Sequence, residues 1–367
     1  MEINKIYEGD CLEVLRNFDD NSINCCVTSP PYWALRDYGT KPIIRGGDKE
    51  CGHNFVSGGG RITHPSDTIL GERRLVDVET ESTCDRCGAI KVSLGLESTP
   101  DLYIQHLCSI FDEVRRVLKD EGTLWVNIGD SYSQSGGSGS KEYAKKHVQF
   151  GKVVEEGQYV PPKNVKGLPP KCLCLIPERF AIEMVSRGWI LRNTIIWYKP
   201  STMPSSAKDR FTVDFEKIFF FVKQGNYFFN QQFETIQDIS IERAKYRSFS
   251  KKANTGIYGG MDIANRHRHF DKVLDPDYPG RNMRTTWKVP FEANHENHYA
   301  AYPQRLVSIP IEAGCPKNGI VLDPFLGSGT TAVVARKLNR SFVGIELNPE
   351  YVKIAEKRLY EELGLFL

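Results

Sequence analysis

Residues 320–331 read Ile-Val-Leu-Asp-Pro-Phe-Leu-Gly-Ser-Gly-Thr-Thr, an apolar run that leads into an acid, two glycines and two threonines. The run predicts a buried strand, and the residues from Thr330 onward predict a helix. Glycines between a strand and a helix let the backbone pass close to a ligand. A second apolar run, residues 341–345, ends at Glu346. The segment therefore predicts a βαβ unit whose acid, about 20 residues past the turn, accepts hydrogen bonds from a ribose diol.

The acid at the start of this turn indicates which kind of cofactor it binds. Asp323 stands at the predicted end of the strand, where it would repel a pyrophosphate and attract a cationic amino acid group. S-adenosylmethionine carries an ammonium and a sulfonium, so the turn favours this cofactor over a dinucleotide. A glycine turn without any ligand is the alternative, and the acids at both ends of the unit count against it.

A second motif, residues 27–33, reads Val-Thr-Ser-Pro-Pro-Tyr-Trp and follows a strand of buried type. Its two prolines stiffen the turn and donate no backbone hydrogen bonds. The Ser29 hydroxyl and the Pro30 carbonyl can then accept both hydrogens of an exocyclic amine, which leaves the nitrogen lone pair available. Tyr32 can stack on a base, which contributes about 1–3 kcal/mol, once that base is flipped out of the duplex. A Pro-Pro turn that only ends a strand is the alternative.

Together the two motifs resemble the amino-group DNA methyltransferases of restriction–modification systems, in the motif order of the beta group. Residues 27–32 resemble the signature of N4-cytosine members, whereas N6-adenine members more often carry Asp or Asn in place of Ser29. Residues 9–11 resemble the segment near the cofactor's adenine. The resemblance implies catalytic roles for Ser29, Pro30, Pro31 and Tyr32. It implies cofactor contacts for Asp10, Asp323, Phe325, Gly327, Ser328, Gly329, Thr330, Glu346 and Asn348.

The resemblance also implies the fold and the domain organisation. We expect an α/β protein with a Rossmann-like, S-adenosylmethionine-dependent sheet that is mostly parallel, doubly wound and seven-stranded. Its catalytic half is expected at residues 1–39 and 99–224, and its cofactor half at residues 298–367. Beta-group members place target recognition between the two motifs, here at residues 225–297. Residues 40–98 are rich in glycine and polar residues and predict an insertion.

The insertion contains Cys51-Gly52-His53 and Cys84-Asp85-Arg86-Cys87. A Cys-x2-Cys pair followed by glycine is typical of one half of a zinc knuckle. A metal would hold together a polar stretch that has little core of its own. We therefore expect a zinc-ribbon-like insertion with a structural zinc on Cys51, His53, Cys84 and Cys87, the alternative being unrelated surface residues. Methyl transfer to an amine needs no activated water, so a catalytic zinc is not expected.

We expect a cytoplasmic protein, because residues 1–5 contain no signal-peptide core and no apolar run reaches the length of a membrane span. The ten cysteines are therefore not expected to form disulfides. Since the net charge is only +2, any DNA-binding face must be local. Residues 241–268 carry seven basic residues against two acids, with aromatic residues between them. This stretch predicts contact with double-stranded DNA, while a cognate restriction endonuclease and a homodimer remain open.

Four functions remain in competition at this level. The first is methylation of cytosine N4 in DNA, which Ser29 favours, and the second is the same chemistry on adenine N6. The third is a catalytically inactive, zinc-stabilised DNA-binding protein, against which the two intact motifs count. The fourth is methylation of RNA or of a small molecule. A basic recognition region argues for a nucleic acid polymer without separating DNA from RNA.

Overall fold

The computed structural model describes residues 1–37, 40–57, 81–133, 158–159, 165, 167–205, 207–235, 241–242, 275, 278–291 and 302–364. Compactness divides the chain into two units, Met1–Phe229 with Thr286–Leu367, and Asn230–Thr285. The second unit falls inside the segment predicted for target recognition. Most of the basic stretch at residues 241–268 lies outside the described residues.

The helices of the described residues are α1 (Cys11–Leu15), α2 (Pro100–Val117), α3 (Ile176–Ser186), α4 (Gln304–Gly314), α5 (Thr330–Lys337) and α6 (Pro349–Leu363). The strands are β1 (Lys5–Glu8), β2 (Ile23–Thr28), β3 (Arg36–Asp37), β4 (Ile43–Arg45), β5 (Phe55–Ser57), β6 (Glu81–Cys84), β7 (Ile90–Val92), β8 (Leu118–Ile128), β9 (Gln158–Tyr159), β10 (Ile190–Tyr198), β11 (Phe215–Val222), β12 (Phe233–Glu234), β13 (Arg281–Asn282), β14 (Thr286–Lys288), β15 (Ile320–Asp323) and β16 (Ser341–Glu346).

The first unit is built on a sheet with the strand order β1-β16-β15-β2-β8-β11-β10-β14. The five strands from β1 to β8 in that order run parallel, and β11 runs antiparallel to both of its neighbours. All six residues of β2 are buried, as expected for a central strand covered on both faces. The mostly parallel, Rossmann-like sheet predicted from the sequence is confirmed.

The sheet differs from the prediction in its strand count, because the described residues form eight strands instead of seven. The extra strand, β14, pairs with the outer edge of β10 through Trp287. Its three residues lie in the segment 225–297 assigned to target recognition, and Trp287 is buried between the exposed Thr286 and Lys288. Residues 286–291 therefore belong to the first unit and supply one side of its sheet.

Two strands that lie next to each other carry the two sequence motifs. Leu322 of β15 pairs with Cys26 of β2 in a parallel register. Both strands consequently end at the same edge of the sheet, one before Ser29 and the other before Pro324. Ligands of open α/β sheets bind at this carboxyl edge. The fold thus brings together two segments that are about 300 residues apart in sequence.

The insertion forms a small antiparallel sheet of its own, with the order β4-β7-β6-β5 among the described residues. In the second unit, β12 pairs with β13, and Glu234 forms salt bridges with Arg281 (2.9 Å) and Arg284 (3.1 Å). None of the described helices combines the length and apolar character needed to cross a bilayer.

Candidate active site

A cavity of about 410 Å³ opens at the carboxyl edge of the main sheet, within the first unit. Its volume lies in the range of small-molecule sites. Of the thirteen residues predicted for catalysis and cofactor binding, ten line this cavity. They are Asp10, Ser29, Pro30, Pro31, Tyr32, Phe325, Gly327, Ser328, Thr330 and Glu346. The two motifs therefore share one site.

The Tyr32 side chain is held by polar contacts at its hydroxyl and by close packing of its ring. The hydroxyl donates to the Glu216 carboxylate (2.7 Å), and its oxygen lies 3.1 Å from Oδ1 of Asn127. The Ser29 hydroxyl donates to the Tyr32 hydroxyl oxygen at 3.3 Å. The ring lies against Gly129, where an added Cβ would come within 2.6 Å of the ring carbon Cε2. Tyr32 is thus fixed in one orientation at the cavity wall.

Five further residues line the same end of the cavity and were not predicted from the sequence. They are Asn127, Trp197, Lys199, Glu216 and Phe291. Lys199 forms an ion pair with Glu216, and its ammonium lies 4.4 Å from the centre of the Trp197 ring. The Trp197 and Phe291 rings meet edge to face at 5.4 Å. Lys199 directly follows β10, and Glu216 is the second residue of β11, so both lie at the ends of strands.

The glycine turn is tied to the acid at the end of β16. Glu346 accepts the backbone N–H of Gly327 through Oε2 and that of Asn348 through Oε1, both at 2.8 Å. Burial raises the pKa of Glu346, and these two N–H groups partly oppose the shift. Gly327 adopts φ +55°, and the nearest atom to a Cβ added there is 4.0 Å away. The turn therefore leaves room for a ligand beside a carboxylate with acceptor capacity.

The Asp323 carboxylate accepts four hydrogen bonds from within the protein, and its predicted attraction for a cationic cofactor stays a prediction. Its Oδ1 accepts the Thr28 hydroxyl at 2.6 Å and the Phe325 N–H at 3.0 Å. Its Oδ2 accepts the hydroxyls of Thr331 (2.6 Å) and Tyr302 (3.0 Å). Burial raises the pKa of Asp323, and these donors oppose the shift. The carboxylate thus fastens the end of β15 to the end of β2, which keeps the two motifs adjacent.

Gly329 and Asn348 make structural contacts at the glycine turn and at the start of α6, and their predicted cofactor contacts stay predictions. Gly329 adopts φ +84°, and a Cβ there would come within 2.9 Å of the Ala355 methyl group on α6. The glycine thus permits close packing of the turn against this helix. The Asn348 side chain caps the same helix by accepting the Glu350 N–H at 2.9 Å. Gly329 therefore sets the packing of the turn against α6, and Asn348 stabilises the first turn of that helix.

Asp10 lies just after β1 and lines the cavity. Because β1 pairs with β16 on the side away from β15, Asp10 lies beyond Glu346 as seen from the glycine turn. Its Oδ1 caps α1 by accepting the N–H groups of Leu12 (3.1 Å) and Glu13 (3.2 Å). Its Oδ2 accepts a hydrogen bond from Arg45, which belongs to the insertion, at 3.1 Å. Asp10 thereby links the main sheet to the insertion at the cavity wall.

The four predicted metal ligands converge in the insertion, with all their donor atoms within 4.8 Å of one another. Cys51 Sγ lies 4.0 Å from Cys84 Sγ, and Cys87 Sγ lies 3.4 Å from Nδ1 of His53. A tetrahedral zinc with Zn–S bonds of about 2.3 Å separates two sulfurs by about 3.8 Å, so the donor set fits. Burial opposes ionisation of Cys84, but the N–H groups of Cys87 and Arg86 and the side chain of His53 lower the pKa of Cys84 to about 6. None of the ten cysteines is joined in a disulfide.

Comparison with known proteins agrees with this arrangement. A family model described as DNA methylase, of N6 and N4 type, matches residues 23–357. Type II methyltransferase M.Cfr9I from Citrobacter freundii is 34% identical over 97% of this chain and 88% of its own. Type II methyltransferase M.SmaI from Serratia marcescens is 33% identical over 97% of this chain and 90% of its own.

Two solved structures share the fold. The PvuII DNA methyltransferase, described as cytosine-N4-specific, superposes with a TM-score of 0.52 and 18% identity over 97% of this chain and 86% of its own. A DNA modification methylase from Thermus thermophilus superposes with a TM-score of 0.50 and 19% identity over 99% of this chain and 97% of its own.

Proposed function

Because this chain belongs to the N6/N4 family of DNA methylases, we propose that it methylates the exocyclic N4 of cytosine in double-stranded DNA, with S-adenosylmethionine as the methyl donor. Its family membership makes it an amino DNA methyltransferase of the restriction–modification type. The observation that carries the proposal is the shared cavity, since the Ser29–Tyr32 motif and the glycine turn line the same space. Methyl transfer by direct displacement requires the two substrates to meet in one site.

The cofactor end of the cavity has the groups that S-adenosylmethionine needs. Glu346 retains acceptor capacity for ribose hydroxyls after binding its two backbone N–H groups. Gly327 leaves open space at the turn, and Asp10 offers a carboxylate beyond Glu346. When bound, S-adenosylmethionine supplies an electrophilic methyl group. The protein's task is to position this ligand and to exclude water from the reacting atoms.

The base end of the cavity is suited to a flipped-out cytosine. The Ser29 hydroxyl and the Pro30 carbonyl can accept the two amine hydrogens, which keeps the nitrogen lone pair free to attack. Tyr32, Trp197 and Phe291 offer aromatic surface to the base. No side-chain nucleophile is needed, because the base nitrogen would attack the methyl carbon. The C–S bond would break with its electrons on sulfur, S-adenosylhomocysteine would leave, and the nitrogen would lose one proton to water. Ser29 supports cytosine over adenine, which remains the second candidate of the same chemistry.

We expect N4-methylcytosine as the product. Purified protein is incubated in parallel with duplex DNA and with RNA, each with S-adenosylmethionine that carries a tritiated methyl group, and each nucleic acid is digested to nucleosides and separated by chromatography. Label in N6-methyladenine would contradict the choice of base, and label only in RNA would contradict the polymer. Methylation-sensitive sequencing of DNA from a host that expresses the protein then identifies the recognition sequence. A protein heated before the incubation is the control.

We further infer that Cys51, His53, Cys84 and Cys87 bind one structural zinc ion. The insertion has only a small apolar cluster around Val92 and Leu96 among its described residues. A metal that joins the loop before β5 to the turn after β6 therefore stabilises this sheet.

The zinc proposal predicts about one zinc per chain by elemental analysis. The double substitution of Cys84 and Cys87 by serine should remove the metal and should make the insertion more sensitive to limited proteolysis. Cys172→Ser is the matched control, because Cys172 is a half-buried thiol outside the cluster. Protein produced with added zinc that contains none, or a double variant that retains it, would refute the assignment.

The remaining predictions concern partners and domain boundaries. Double-stranded DNA is the proposed substrate, while a partner restriction endonuclease and a homodimer stay predictions from the family resemblance. The division of the chain into a catalytic half, a cofactor half, an insertion and a recognition region is likewise proposed.

A further inference from the structure

Arg45 brings a buried positive charge from the insertion to the wall of the main cavity. It is the last residue of β4, and only 7% of it is exposed to solvent. Its Nη2 donates to Oδ2 of Asp10 at 3.1 Å. The cavity wall includes Arg45 together with other insertion residues, among them Thr40, Ile43 and Leu94. The insertion therefore closes one side of the cavity.

The guanidinium is only partly satisfied by this contact. Its Nε and Nη1 are buried, and neither has a hydrogen-bond partner among the described residues. Arginine carries five N–H donors and no acceptor, and a buried donor of a charged group without a partner is costly. Because the side chain lines the cavity, a ligand there can supply the missing acceptor.

The order of the strands indicates which part of a ligand Arg45 meets. Along the carboxyl edge, β1 with Asp10 comes first, then β16 with Glu346, then β15 with the glycine turn, and then β2 with Ser29. The transferred methyl group must lie near Ser29, and Glu346 is the acceptor for ribose hydroxyls. The base of the methyl donor must then extend toward β1, where Asp10 and Arg45 lie.

We propose that Arg45 binds the adenine of the methyl donor by donating a hydrogen bond from Nε or Nη1 to a ring nitrogen. This inference rests on the function proposed above. An acceptor and a donor side by side, the Asp10 carboxylate and the Arg45 guanidinium, match an adenine edge that presents an amino group beside a ring nitrogen. The insertion thus contributes a wall and a recognition group to the cofactor end of the site.

The test measures binding of S-adenosylhomocysteine and of its 1-deaza, 3-deaza and 7-deaza forms, in which C–H replaces one adenine ring nitrogen. Isothermal titration calorimetry should show that one deaza form binds the unchanged protein about 10-fold more weakly than the parent compound. Arg45→Met should weaken binding of the parent by about 10-fold or more, and the penalty for that deaza form should disappear. A purely structural role in neutralising Asp10 would weaken all four compounds equally.

Two further variants complete the experiment. Arg45→Lys retains a cation beside Asp10 and replaces the methionine variant in the test if that variant does not fold. It should also reduce the difference in affinity between S-adenosylhomocysteine and the deaza form that binds weakly. Lys91→Gln is the matched control, because Lys91 lies on β7 of the same sheet with its ammonium 5.9 Å from the centre of the Phe55 ring. Equal binding of all three deaza forms to the unchanged protein, or a penalty that persists in both Arg45 variants, would overturn the proposal. If the unchanged protein bound no S-adenosylhomocysteine, the proposed function itself would fail.

Discussion

Replacing Tyr32 by alanine should lower the rate of methyl transfer by about 100-fold, while the Kd for S-adenosylmethionine changes by less than about twofold. The ring supplies stacking of about 1–3 kcal/mol per base, and each 1.4 kcal/mol corresponds to about a tenfold change in rate. Its place among the Ser29, Asn127 and Glu216 contacts also positions the base, which adds to the loss. Single-turnover labelling of DNA gives the rate, and calorimetry gives the Kd.

Two companion variants separate the ring from its hydroxyl. Tyr32→Phe keeps the stacking surface and loses the bond to Glu216, so we expect a loss of about tenfold or less. Gly129→Ala keeps Tyr32 but places a methyl group 2.6 Å from Cε2, which forces the ring to move and should approach the loss seen with alanine at position 32. A Tyr32→Ala protein that lost turnover and cofactor affinity in equal measure would show that this ring does not act on the base.

The meeting of the two motifs was predictable, because it follows from sheet topology. Each motif follows an apolar run, and parallel strands in such a sheet all end at one edge. The acid at Glu346 followed for the same reason, since the next strand of a βαβ unit ends at that edge. The four metal ligands were predicted as a group because their short spacings are those of a metal site.

Contacts between the ends of distant elements were not predictable. The four donors to Asp323 come from three separate segments, and one of them, Thr28, is 295 residues away in sequence. Periodicity reports which face of an element is buried and does not report which side chains meet there. The sequence therefore suggested that Asp323 faces a ligand, whereas its carboxylate is occupied within the protein. Lys199, Glu216 and Arg45 escaped prediction for the same reason.

Removal of the Glu346 carboxylate should affect the cofactor end of the cavity, opposite to the base end that contains Tyr32. Glu346→Ala is expected to raise the Kd for S-adenosylmethionine by about 100-fold or more, since two hydrogen bonds to a charged group contribute about 1.5–3 kcal/mol each. The carboxylate also holds the Gly327 N–H, so the turn loses its anchor as well. Calorimetry without DNA measures the Kd. Glu350→Gln, an exposed residue in the first turn of α6, is the control and should bind normally.

The pH dependence follows from the direction of the Glu346 shift. Burial raises its folded-state pKa, so protonation begins at a higher pH than for an ordinary glutamate. Since the ionised form is the better acceptor for ribose hydroxyls, affinity should fall as the pH drops toward that raised pKa, and Glu346→Ala should lose this dependence. Because ribose contacts are the same in the ground state and in the transition state, the variant should regain nearly normal turnover at saturating cofactor. Glu346→Ala should therefore raise the Kd for S-adenosylmethionine and spare turnover, whereas Tyr32→Ala should lower turnover and spare the Kd. If both variants lowered turnover and raised the Kd together, the cavity would not be divided into a base end and a cofactor end.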